Sequence, residues 1–387
     1  SFPTRRSSDL IKLDPNNLDY LFTLADLARV QKDWDSSIEY YLEGYRANSL
    51  AINGLEQALQ ISLTTNNFEK AEEICELFLE DDPQNIKIIE TLRDLTIFSK
   101  KYDIALDMVN RIEKIQGTSA ELSIQKSALH EELNQNNEAL TVMYTALEND
   151  SINIMVLHRL VSLLLDQEKN EKATLINQKI IKHFPDDSRG YINDAVIAMS
   201  NQKPEEAILA LSAHVGKFPQ DFTVQYLLGT AYYQFKDYGN AEIYLSQALT
   251  IFPDSRNTKH NLAMIYDTTK EWVKSDKLYM DLIATDSTDA QAFNNYAYSL
   301  IERGEDVEFS LELAKQAIRL VPDSAPYLDT IGWIYFKMDQ IDEAIKYIQN
   351  SLNIDSENST IQDHLDYILK IKAELDTHKD PQVEKRD

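Results

Sequence analysis

The chain runs to 387 residues with a formal net charge of −26, and 43% of its residues are hydrophobic, enough for a continuous core. Such acidity excludes the basic footprint that nucleic acid or an anionic membrane surface requires; a solvated, self-repelling surface accounts for it, and a basic partner is the sharper reading. Nine glycines and ten prolines are too few for the turns of a large β domain, and the single cysteine, Cys75, can form neither an internal disulfide nor a thiolate cluster.

Residues 1–10 read SFPTRRSSDL, a string unlike everything downstream. It resembles the conceptual translation of a sequencing adapter and is expected to be an artefactual leader. Residues 11–17 read as the close of a repeat whose body is missing, so the chain is expected to enter mid-repeat. Any signal peptide, lipid anchor or upstream domain would precede that point.

From Leu18 onward a ruler of 34 residues governs the chain. Small residues fall at Ser37, Ala71, Ala105, Ala139, Ala173, Ala207, Ala241 and Ser275; the ladder slips by one to Ser310 and returns at Ala344. Pro15, Pro83, Pro185, Pro219, Pro253 and Pro322 keep the same step. Self-similarity at this period predicts an array of helical hairpins. Ten units then begin at Leu18, Ile52, Ile86, Ala120, Ile154, Ser188, Phe222, Arg256, Ala290 and Ala325.

Each register position has a physical task. Position 8 is small (Ala25, Ala195, Gly229, Ala263, Ala297, Gly332) and faces position 20, so the two helices of a unit touch nearly backbone to backbone. Position 17 carries an aromatic (Trp34, Phe68, Tyr102, Tyr238, Trp272) that opens the second helix and is expected to fill a wedge behind the turn. Proline at position 32 ends that helix. Units two to five are weaker at position 8, with Leu59, Arg93, Ser127 and Val161, and Arg93 is expected to snorkel to the edge. The extra residue of the ninth unit, near Gly304, is expected to lengthen a turn only. Residues 359–375 read as a capping helix and 376–387 as a disordered tail. The expected fold is all-α: a right-handed α-solenoid of ten helix-turn-helix repeats over 18–358, plus the cap.

Leu228, Gly229, Tyr232, Ala241, Leu245, Ala248 and Pro253 of the seventh unit resemble the tetratricopeptide repeat family, although Gln225 stands where the family has Trp. The stretch 294–352, its one-residue insertion, the junction PDSAPYLDTIGW at 322–333 and the later His364 and Leu365 resemble bacterial envelope proteins of that family. Those proteins continue with Gly; here Asp366 follows. The resemblance implies a periplasmic or outer-membrane-anchored scaffold for assembly or secretion machinery, with a cytoplasmic location as the second reading.

No catalytic constellation emerges. His130 opens the string HEELN, but Asn134 stands where a zinc-protease helix needs its second histidine. Isolated glycines make no phosphate loop, and no serine lies in a nucleophile elbow. No enzymatic activity, cofactor or metal is expected. In a stack of this kind, first-helix positions 2, 5, 9 and 12 are expected to line a concave groove. Position 5 reads His158, Ile192, Tyr226, His260, Asn294 and Asp329; position 9 adds Met264, Tyr298 and Trp333; position 12 adds Tyr233. Rings supply buried area and amides pair with peptide backbone, a mixture suited to an extended peptide. In the first three units the same face reads Asp19, Asp26, Glu56, Glu90 and Asp94, an acidic mouth. The two-carboxylate clamp of chaperone-tail-binding family members is missing, since Arg159 and Arg189 are isolated. The expected function is a non-catalytic scaffold for a protein or peptide partner, with neither nucleic acid nor membrane insertion and with the oligomeric state left open. The alternative is the regulatory or substrate-recruiting arm of an enzyme whose catalytic domain lies upstream.

Overall fold

A pair of end signals, repeated along the chain, fixes where each helix starts and stops. The computed structural model describes residue 14 and residues 16–379, with side chains as far as residue 376. The expected leader and residues 380–387 of the expected tail lie outside the described residues. Every regular element among the described residues is helical.

The helices fall into two compact units, one ending at Gly190 and one beginning at Tyr191. Unit 1 holds α1 (Leu18–Val30), α2 (Trp34–Ala47), α3 (Ile52–Thr64), α4 (Phe68–Asp81), α5 (Ile86–Phe98), α6 (Tyr102–Gln116), α7 (Ala120–Glu132), α8 (Asn136–Asn149), α9 (Ile154–Asp166), α10 (Asn170–His183) and the start of α11 (Ser188–Ser200). Unit 2 holds the rest of α11, then α12 (Pro204–Ser212), α13 (Phe222–Gln234), α14 (Tyr238–Ile251), α15 (Arg256–Thr268), α16 (Trp272–Thr285), α17 (Ala290–Glu302), α18 (Val307–Leu320), α19 (Ala325–Lys337), α20 (Ile341–Ile354) and α21 (Ser359–Lys379). Odd-numbered helices from α1 to α19 are the first helices of the ten hairpins, and each begins at a residue marked by the ruler.

The start signal is a cap. Asn17, Asn85, Ser119, Asn153, Asp221, Ser255 and Asp289 each precede a first helix and accept a backbone N–H from its first turn. The stop signal is a left-handed residue at position 15: Lys32, Asn66, Lys100, Asn134, Glu168, Gln202, Lys236, Lys270, Gly304 and Asp339 all have positive φ. The next residue's N–H then reaches back across the helix end, as from Asp33 to the Ala28 carbonyl at 2.9 Å or from Lys101 to that of Thr96 at 2.7 Å. The same closing bond recurs in all ten hairpins, from Asp33 to Gln340. Nine of these ten residues carry a side chain into a region that disfavours L-residues by about 1–2 kcal/mol each, so the turn is held by its closure and by packing rather than by local preference. In the ninth hairpin the extra residue is absorbed in the turn: residues 303–306 separate α17 from α18, and Asp306 there is also left-handed and caps α18.

Packing follows the small column. A Cβ on Gly229 would lie 2.6 Å from Cγ and 2.9 Å from the backbone N of Leu245; on Gly332 it would lie 2.5 Å from Cγ1 of Ile348. Two of the serines in the small column donate to the facing position-8 carbonyl, Ser37 to Ala25 at 2.8 Å and Ser310 to Ala297 at 2.7 Å, while Ser275 turns back to the Trp272 carbonyl of its own helix at 3.0 Å. Arg93 snorkels, its guanidinium reaching Asp94 and Gln125. Phe68 packs edge-on against Phe98, while Trp34 stays at the surface instead of filling a wedge, 37% exposed.

Two elements differ from the sequence expectation. The sixth hairpin looks regular in sequence, yet α12 stops after nine residues and a 3-10 turn follows at Val215–Lys217. There the His214 ring stacks on Tyr191 at 3.8 Å and Gly216 lowers helix propensity, so local contacts replace the last helical turn. The capping helix α21 continues to Lys379, beyond the expected end near 375, because no helix breaker occurs before Pro381. Its position 8 is Asp366, which is exposed, so the surface on which a second helix would dock is charged instead of small.

Gly229→Ala should destabilise unit 2 by about 2 kcal/mol, because the new methyl meets backbone that cannot swing away. Urea unfolding followed by circular dichroism measures this, and an unchanged midpoint would remove close approach as the packing determinant.

Candidate functional site

In unit 1, the first-helix face carries His158 on α9, half-buried, and the acidic residues of α1, α3 and α5. Asp26 accepts from Arg29 at 2.9 Å and from the Tyr41 hydroxyl at 2.7 Å, and Asp94 pairs with Arg93. Glu56 is exposed and Glu90 half-buried.

In unit 2, the column divides by depth. Ile192 on α11, Tyr226 and Tyr233 on α13, Met264 on α15 and Trp333 on α19 are half-buried, and Tyr298 on α17 is 40% exposed. His260, Asn294 and Asp329 are buried, at 3%, 7% and 8% exposure, so a partner meets the rings and Met264 before it meets these polar groups. Asn261 donates to the Thr230 hydroxyl at 3.3 Å and so ties α15 to α13.

The buried polar groups are organised by the residue that caps α17. Asp289, fully buried, caps α17 by accepting the Ala292 N–H at 3.0 Å. It also takes both Arg256 nitrogens at 2.7 Å and His260 Nε2 at 2.9 Å. Burial alone would push its carboxyl up; the Arg256 guanidinium, the Ala292 N–H and His260 outweigh it and hold the group below the usual carboxylate range. The helix-cap column could have located Asp289 in the sequence, but its two side-chain partners depend on how α15 lies against the start of α17.

At the end of unit 2 the column is covered by α21. His364 Nδ1 lies 3.0 and 2.9 Å from the two carboxylate oxygens of Asp329, and its ring stacks on Trp333 at 4.5 Å. Tyr367 packs edge-on against Phe336. The Trp333 indole N–H donates to Glu302 at 2.7 Å. Asp329 and Trp333 are therefore docking points for the cap. The hydrogen bond to Asp329 holds His364 above the ordinary histidine value against the opposing effect of burial, with Glu302 and Asp363 adding to the rise.

Little else offers chemistry. Among the described residues no cluster of His, Cys, Asp or Glu could hold a metal ion, and no helix is long and apolar enough to cross a membrane. Burial pushes the Cys75 thiol up to about 12, with Glu72 and Glu76 contributing. A crevice of about 320 Å³ lined by Leu249, Tyr266, Lys274 and Leu278 opens among α14, α15 and α16 and includes no residue of the column.

Family models described as tetratricopeptide repeat match residues 194–256 and 325–358. The chain carries tetratricopeptide repeats. Arrays of such repeats generally serve as protein-interaction scaffolds. Over 136 residues the chain is 29% identical to the type IV pilus assembly protein PilF of Pseudomonas aeruginosa, a match covering 35% of this chain and 54% of that one. It is 25% identical over 108 residues to the TPR repeat-containing protein PA4667 of the same species, covering 28% of this chain and 18% of the relative. The chain thus spans about half of one curated relative and less than a fifth of the other. A tetratricopeptide repeat protein from Parabacteroides merdae, solved as a crystal structure, aligns over 64% of this chain and 98% of that one at 15% identity, with a TM-score of 0.52. That likeness concerns the fold.

Asp289→Ala should cost unit 2 about 3 kcal/mol, since it removes a cap, leaves Arg256 without its anion and leaves His260 Nε2 without its acceptor. The Asp289 carboxyl is depressed on folding, so its contribution is present above the unfolded carboxylate value and is lost as pH falls through the folded one. Urea unfolding at several pH values should show the wild-type advantage over the variant shrinking toward acid.

His364 has the opposite sign. Its contribution is complete below the unfolded histidine value and is lost as pH rises through the raised folded value. Corrected for intrinsic rates, amide exchange in α21 should show easier opening at about pH 8.5 than at about pH 6, and Asp329→Asn should flatten the difference.

Proposed function

We propose that this chain is a non-catalytic scaffold that binds a protein or extended peptide on the first-helix face of unit 2, in assembly or secretion at the bacterial envelope. The observation that carries the reading is the set Tyr226, Tyr233, Met264 and Tyr298. These large side chains stand at groove positions 5, 9 and 12 of α13, α15 and α17, with Met264 and Tyr298 at the same position of consecutive first helices, and all remain half-buried or exposed. Rings lose little rotamer freedom on binding and bring large contact areas, which is why they anchor interfaces.

The envelope setting rests on the name of the pilus assembly relative, and it favours a periplasmic or outer-membrane-anchored place of work. The partner is a protein rather than nucleic acid, since a chain of net charge −26 repels a polyphosphate. Catalysis has no part in the reading: His260 and His364 are both held by carboxylates in packing roles.

Replacing Tyr226, Met264 and Tyr298 together with alanine should abolish partner capture from an extract of the source cell while far-UV circular dichroism stays unchanged. A photo-reactive phenylalanine at position 298 should cross-link that partner, and one replacing the exposed Ile243 should not. Undiminished capture by the triple variant would remove the proposed face.

A further inference from the structure

Two polar atoms beneath the unit 2 face lack partners, and both belong to side chains more than nine-tenths buried. His260 Nε2 lies 2.9 Å from the Asp289 carboxylate, and in the tautomer that donates there Nδ1 is an acceptor with nothing to accept. Asn294 donates through Nδ2 to Asn295 Oδ1 at 3.3 Å, and its own Oδ1 is unpaired. The two residues share register position 5 on consecutive first helices, 34 residues apart, each about one turn before Met264 or Tyr298 on its own helix. A buried acceptor left unpaired is costly, and both ask for the same thing: a donor.

The charges on this part of the unit point the same way. Asp267 on α15 is satisfied by two hydroxyls, Tyr279 at 2.8 Å and Ser299 at 2.8 Å. Glu302 on α17 receives the Trp333 indole N–H. These donors are neutral, and neither carboxylate has a lysine or arginine ion-pair partner among the described residues; His364 on α21 feels the Glu302 charge. A ligand that brings N–H donors and positive charge together meets both demands.

Resting on the reading of this face as the binding surface, we propose that its occupant is an extended peptide bearing lysine or arginine, whose cationic N–H groups pair with His260 Nδ1 and Asn294 Oδ1 while Tyr298 and Met264 cover the side-chain stem. The acidic surface draws the peptide in, and the two buried acceptors hold it in register. An acidic peptide finds no donor at these two atoms and is repelled by Asp267 and Glu302.

Two short fluorescein-labelled peptides test this by anisotropy, one alternating lysine with valine and the other glutamate with valine. The lysine probe should bind and the glutamate probe should not. Asn294→Leu, which removes the acceptor without changing charge, should weaken the lysine probe about tenfold, as should Tyr298→Ala, both with unchanged circular dichroism. Tyr298 is exposed, so that variant decides the matter if Asn294→Leu fails to fold. Lysine-probe binding that falls with salt yet ignores both substitutions reflects bulk charge and overturns the proposal. If both probes bind and Tyr298→Ala weakens both, the face is a binding surface without cationic preference, and only this inference fails. If neither probe binds, the groove reading falls with it.

Discussion

Two helices can lie backbone to backbone only where no side chain stands between them, and the rest of the hairpin is arranged around that contact. At Gly229 and Gly332 there is no space for a methyl group, and serine in the facing column is tolerated because its hydroxyl finds a carbonyl, across the contact for Ser37 and Ser310 and on its own helix for Ser275. Close approach requires the chain to reverse within three residues, which forces position 15 into the left-handed region whatever residue is there. Cap, thirteen-residue helix and turn thus follow from one steric condition. Where the condition is relaxed, the hairpin adapts: Arg93 turns outward to Asp94 and Gln125.

Tyrosines serve several of the carboxylates in this acidic chain. Tyr41 donates to Asp26, Tyr45 to Asp81, Tyr266 to Glu242 and Tyr279 to Asp267, at 2.6–2.9 Å. The phenols of Tyr41 and Tyr266 are pushed up to about 12 chiefly by burial and then by their carboxylates; for Tyr45 the bond to Asp81 comes first. A phenol stabilises a carboxylate without cancelling its charge. Asp81 and Asp267 thus keep their charge while bonded, whereas Asp26 and Glu242 also meet Arg29 and Lys274.

Most of the fold was legible in the sequence because its signals are local. Ten helix starts, the turn and the insertion are set by residues within one hairpin, and the 34-residue ruler displays each of them repeatedly. The early end of α12 was not legible, since it depends on His214 meeting Tyr191 on another helix. The candidate site was half legible. The ruler selects the column, but depth within it depends on neighbours: His260 is drawn down by Asp289, and Asp329 is covered by His364 of α21. Position alone ranked these with Tyr298, which remains exposed.

The turn between α17 and α18 holds one residue more than the corresponding turns, yet α18 meets α17 through the same Ser310-to-Ala297 bond found at Ser37 and Ala25. Length is thus elastic in the reversal and rigid in the rods. A gene encoding such a chain can gain or lose codons at the reversals and leave the fold intact, whereas one codon inserted within a first helix would rotate every later side chain of that helix by about 100° and empty the core beneath it. Drift in length between descendants should accumulate at the reversals, and the period of the rods should persist after sequence similarity has faded.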